Sequence, residues 1–123
     1  KPMEMVAEIQ KVVQPLGNSL YRHEDRMKKA LARVEELKEL FPQLKADDPH
    51  QMFGVNECAA TLLSAEMFFK ASLERKESLG WFLREDYPEQ SKDGMYWITV
   101  QNKDGQVSVG RERVPLESYP FQQ

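Results

Sequence analysis

The densest run of reactive side chains in this chain lies between Arg75 and Glu89, where Arg75, Glu77, Ser78, Arg84, Glu85, Asp86 and Glu89 alternate with Trp81, Phe82 and Tyr87. Carboxylates beside guanidinium groups and a hydroxyl are the materials of an ion-binding or acid–base site. Such a site also needs a group whose pKa is shifted inside a pocket, and a partner base to work with it. The two histidines, His23 and His50, belong to no Ser/His/Asp set with a recognisable elbow. Asp47, Asp48 and His50 have the chemistry of metal ligands, but no second ligand cluster accompanies them, and turn chemistry before Pro49 explains them better. The six glycines are too scattered for a phosphate-cradling loop. No catalytic, cofactor-binding or metal-binding residue is therefore assigned, and the chain alone is not expected to turn over a substrate.

The elements that must position this run are mainly helical. Met5, Val6, Ile9, Val12 and Val13 recur at spacings of three and four, predicting a helix over about 3–14 that Pro15 and Gly17 end. A second helix is expected over about 23–41, with Met27, Leu31, Val34 and Leu37 as its apolar stripe, Glu24 and Asp25 at its positive start, and Pro42 as its stop. The segment from Lys45 to His50 reads as a loop. A third helix, over about 54–77 with Asn56 as its cap, is apolar around most of its circumference and so is expected at the centre of the fold. Within it Glu66 stands among Leu63, Met67, Phe69 and Leu73. Either it pairs with Lys70 one turn on, or a partner surface holds it. Cys58 in the same helix reads as a small buried hydrophobe. Met95 to Val100 and Gln106 to Val109 read as strands around Asn102-Lys103-Asp104-Gly105, a hairpin over about 95–110. The remainder, 111–123, is proline-punctuated and expected to be extended.

These elements predict one domain over 1–123. It would be mainly α: a three-helix bundle of spectrin-repeat type, followed by a small β-hairpin and an extended C-terminal tail. A chain of 123 residues with 41% hydrophobic content supports a real core. Net charge is −3, and no Lys/Arg cluster lacks interleaved acids, which argues against nucleic-acid binding. No apolar run reaches the length of about 18 residues that spans a bilayer, and one cysteine with no signal-peptide pattern gives a reducing, cytoplasmic expectation. A helix already under way by Val6 gives the further expectation that the chain is a segment of a longer polypeptide.

Ala65-Glu66, then Ala71-Ser72-Leu73-Glu74-Arg75-Lys76-Glu77-Ser78, then Gly80, then Arg84-Glu85-Asp86-Tyr87-Pro88-Glu89 resemble the C-terminal domain of the succinate dehydrogenase/fumarate reductase flavoprotein family. L-Aspartate oxidase and adenylylsulfate reductase-like flavoproteins are also members. The family pattern is an A-E pair, then R-x-E-S-R-G, then R-x-D-Y-P-E. Leu20-Tyr21-Arg22-His23-Glu24 is similar to the segment carrying the family's Arg before its second helix, and the likeness extends over Met3 to Phe121. The sequence departs at Leu79, where the family has Arg, and at Trp81 and Phe82, where it has a small residue and His. A divergent relative fits these departures. The resemblance implies a helical domain packed against the FAD-binding domain of its parent chain, with FAD and substrate held upstream. It leaves room for an iron–sulfur subunit as a further partner and for a place at the cytoplasmic face of a membrane complex. Glu66, Arg75, Glu77, Ser78, Arg84 and Asp86 become candidate inter-domain contacts, with an internal salt-bridge network at the helix end as the equal alternative. A free-standing helical interaction module is the reading from a different class.

Overall fold

The computed structural model describes residues 1–120. Helix α1 spans Pro2–Val13, a short α2 spans Leu16–Ser19, α3 spans Glu24–Leu40 and α4 spans Pro49–Glu74. Strands β1 (Tyr21–Arg22) and β2 (Leu83–Arg84) form a parallel pair, and β3 (Tyr96–Lys103) and β4 (Gln106–Arg113) an antiparallel hairpin. The mainly α architecture with a hairpin is therefore the one expected from the pattern.

The three long helices pack on one another around a single apolar cluster. From α1 it takes Met5, Val6 and Ile9; from α3, Met27, Ala30, Val34 and Leu37; from α4, Cys58, Leu62, Ala65 and Phe69. Each set repeats at three- and four-residue steps, which places it on one helix face. Cys58 is buried and donates its thiol hydrogen to the Pro2 carbonyl at 3.0 Å. Burial pushes that thiol above its ordinary pKa, against reactivity.

Helix α4 departs from expectation at both ends. It starts at Pro49, so Pro49 and His50 are helical rather than looped, and Asn56 lies inside the helix. The cap is Asp48, whose Oδ1 accepts from the Gln51 amide at 2.7 Å. Gly54 is where α1 meets the second turn of α4, since a Cβ there would stand 3.0 Å from the Pro2 side chain. The helix ends at Glu74, three residues early, as Arg75 turns to extended backbone. It touches α1, α3 and the hairpin, yet it is not covered all round: Met52, Phe53 and Leu63 remain exposed.

The hairpin turns at Asp104 (φ 52°) and Gly105 (φ 81°), two left-handed residues that match the twist of the flanking strands. Its strands run to Arg113, so the tail starts later than 111, and a 3₁₀ turn at Leu116–Ser118 interrupts it. Phe121, at the far end of the expected tail, lies outside the described residues. The connector between α1 and α3 is not a plain loop; it holds α2 and β1.

Candidate functional site

Helix α4 leaves its last carbonyls without partners within the helix. The side chain that satisfies them comes from β2. Arg84, 1% exposed, donates through Nη1 to the carbonyls of Ser72 (3.4 Å), Leu73 (3.1 Å) and Arg75 (3.0 Å). Its Nε and Nη2 form a fork on Asp86, at 3.0 and 2.6 Å. Asp86 in turn accepts from the Glu24 amide at 3.1 Å, at the first turn of α3. One guanidinium–carboxylate pair thus links the negative end of α4 to the positive end of α3, each charge placed as the helix dipoles favour. Burial alone would raise the Asp86 pKa; the Arg84 hydrogen bond and the Glu24 amide outweigh it and hold the carboxyl below its ordinary range.

Ser78 is the hub of the turn that brings Arg84 into place. Its Oγ accepts from the Arg84 amide at 2.9 Å and donates to the Tyr87 carbonyl at 2.8 Å. Its own amide donates to the Glu89 carbonyl. Between them Leu79 and Phe82 exchange both main-chain hydrogen bonds around Gly80 (φ 58°) and Trp81. Trp81 projects from this turn, 93% exposed.

Glu77, 2% exposed, accepts from Arg75 Nη1 with one oxygen and from the Ser91 amide at 2.8 Å with the other. Arg75 also donates to the Tyr96 carbonyl at 3.1 Å and lies over the Tyr96 ring at 4.8 Å. Arg111 approaches the same ring at 4.7 Å and ties the hairpin to α4 through Glu74. Glu66 is apart from this corner. Its oxygens each accept at 2.7 Å, one from Lys38 of α3 and one from Lys70. Burial would raise its pKa, but the two lysines prevail and keep the carboxyl below its ordinary range.

The structure thus brings Arg75, Glu77, Ser78, Arg84 and Asp86 into one connected corner and leaves Glu66 in a separate triad with Lys38 and Lys70. Every one of the six has a partner within the chain. The parallel β1–β2 pair behind the corner, Tyr21 opposite Leu83 and Arg22 opposite Arg84, has no visible signature beyond the repeated apolar–Arg dipeptide. The resemblance singles out Arg22 as the arginine before the second helix, but not its burial or its lack of acceptors. Arg22 is 9% exposed, and its Nε and Nη1 have no hydrogen-bond acceptor among the described residues. Its guanidinium faces the rings of Phe82 (4.4 Å) and Phe68 (5.4 Å), and burial pulls its pKa down.

A flavin pyrophosphate needs free amides at a helix start or a glycine nest. Here the starts of α3 and α4 are taken by the carboxylates of Asp86 and Asp48, which repel an anion. The positive-φ glycines, Gly80, Gly94 and Gly105, all lie outside helix starts. Among the described residues, neither of these helix starts and none of these glycines offers a cradle for the FAD pyrophosphate.

The same helical fold recurs in solved structures. The FrdA subunit of E. coli quinol fumarate reductase superposes with a TM-score of 0.80 at 20% identity, covering 100% of this chain and 22% of that one. The Mycobacterium smegmatis Sdh1 complex gives 0.70 at 25% identity, covering 98% and 21%. An FAD-dependent oxidoreductase of Methanocaldococcus jannaschii is 31% identical over 85 residues, which are 69% of this chain and 16% of the relative. The fumarate reductase flavoprotein subunit of Haemophilus influenzae is 32% identical over 79 residues, 60% of this chain and 13% of the relative. The family model described as fumarate reductase flavoprotein C-term matches residues 7–123, and the chain belongs to that family. It spans less than a quarter of the length of each of these relatives. No helix among the described residues is long and apolar enough to cross a membrane.

Proposed function

We propose that this chain is the C-terminal docking domain of an FAD-dependent oxidoreductase of the succinate dehydrogenase/fumarate reductase type. It packs against the FAD-binding domain of its parent chain and does not itself carry catalysis. The flavin does the redox chemistry upstream, where it is placed and electrostatically tuned. An iron–sulfur subunit is a further partner, and the assembly works at the cytoplasmic face of a membrane complex.

The observation that carries this reading is the exposure of large aromatic side chains on rigid supports. Trp81 is 93% exposed at the tip of the Ser78-centred turn, and Phe53 is 74% exposed in the first turns of α4. Aromatic residues held out on a fixed backbone are the usual anchors of an interface. The candidate contacts Glu66, Arg75, Glu77, Ser78, Arg84 and Asp86 serve docking by fixing the shape of the surface from beneath.

The test is to replace Arg75, Glu77, Arg84 and Asp86 singly in the parent oxidoreductase and measure melting temperature and turnover together. The expected result is a lower melting temperature, with kcat per bound flavin held within about twofold of wild type. A replacement that drops kcat by about a hundredfold or more at unchanged melting temperature would overturn the non-catalytic role.

A further inference from the structure

Arg22 is the exception among the buried charged side chains. Glu66, Glu77 and Arg84 each have two or more hydrogen-bonding partners. Arg22 is as inaccessible as a core residue, yet no described residue accepts from its Nε or Nη1. An arginine stays ionised in proteins, so burial cannot be relieved by losing the proton. The Phe82 and Phe68 ring faces offset part of the lost hydration, but they leave in-plane N–H donors unused. The Arg22 main chain is held in the β1–β2 ladder, and its carbonyl accepts from the Glu85 amide at 2.7 Å, so the backbone that carries the side chain is fixed in place.

We infer that Arg22 is a docking anchor that receives a carboxylate from the upstream, FAD-binding part of the parent chain. This rests on the docking reading above and names one of its contacts. A guanidinium fork matches a carboxylate in geometry as well as charge. The covering residue, Phe82, is half-buried and sits next to the exposed Trp81 on the Leu79–Phe82 turn, so a surface that seats Trp81 arrives beside Arg22. The relatives supply that surface in length: this chain matches only 16% and 13% of theirs.

The experiment compares Arg22→Met and Arg22→Lys with wild type, in this chain alone and in the parent oxidoreductase. In the chain alone, Arg22→Met should melt at or above the wild-type temperature, because it removes an unpaired buried charge. In the parent, amides around Tyr21 and Trp81 should be protected from hydrogen exchange relative to the chain alone. Arg22→Met should speed their exchange on the order of 30-fold or more, since it strands the partner carboxylate, and Arg22→Lys should fall between. If those amides are protected in the parent and equally protected in Arg22→Met, the anchor is wrong and docking stands. If wild-type parent and chain exchange alike, docking and the anchor fail together. A large drop in melting temperature of the chain alone would also overturn the inference, by showing that Arg22 is satisfied internally.

Discussion

Replacing Arg84 by Met keeps most of the side-chain volume and removes every polar contact. The loss is countable. Two bonds to Asp86, at 3.0 and 2.6 Å, vanish and leave a carboxylate without its counter-ion. The carbonyls of Ser72, Leu73 and Arg75 lose their common donor at the end of α4. Breaking a buried pair from one side costs about 3–5 kcal/mol. Retained packing by Met holds the estimate near the lower end, about 3–4 kcal/mol, a large share of a domain's usual 5–15 kcal/mol. For a chain of this length that corresponds to a fall of roughly 10–20 °C in melting temperature, read from the helical signal in circular dichroism. Asp86→Asn is the control. It strands the Arg84 charge but keeps an acceptor for the Glu24 amide and leaves the three carbonyl bonds intact, so it should cost about 2–3 kcal/mol, less than Arg84→Met. An Arg84→Met chain melting within about 3 °C of wild type would refute the role given to the fork. So would an Asp86→Asn chain that melts below Arg84→Met.

Other perturbations address the neighbouring contacts. Glu77→Ala strands Arg75 and the Ser91 amide, and Arg75→Ala strands the more deeply buried Glu77 carboxylate, so each should lower stability by about 2–4 kcal/mol. Unchanged thermal melts for both variants would refute an internal network at the helix end. The Glu66 carboxyl has a folded pKa below its unfolded one, near 4.3. Its stabilising share is therefore present above the unfolded pKa and is lost as pH falls through the folded pKa. Urea melts should show wild type more stable than Glu66→Gln near neutrality, with the gap narrowing below about pH 4. A gap independent of pH would contradict the Lys38–Glu66–Lys70 triad.

What was legible in the sequence was whatever depends on neighbours along the chain. Apolar spacing located the three long helices, and Asn102 to Gly105 located the hairpin turn. The start of α4 was missed because Pro49, in the Lys45 to His50 segment, looks like a loop residue. Here Pro49 occupies the first helical turn, where its missing N–H costs nothing, and Gly54 admits the close approach of Pro2. Its end was overrun because the cap is Arg84, ten residues beyond the last helical one, reached through a turn and a two-residue strand. The β1–β2 pair joins segments about sixty residues apart, and two-residue strands carry no period to read. The family pattern found the corner, since its charged residues are spaced along one short stretch. It did not find the unpaired state of Arg22, which depends on what fails to surround a side chain in three dimensions.

Docking as proposed requires the rest of the parent chain to cover the exposed aromatics at the two ends of α4. Hydroxyl-radical footprinting of Trp81 and Phe53, read by mass spectrometry in the chain alone and in the parent oxidoreductase, measures that cover side chain by side chain. Both side chains should oxidise fast in the isolated chain, in keeping with 93% and 74% exposure, and be strongly protected in the parent. Equal oxidation in the two settings would contradict docking as proposed.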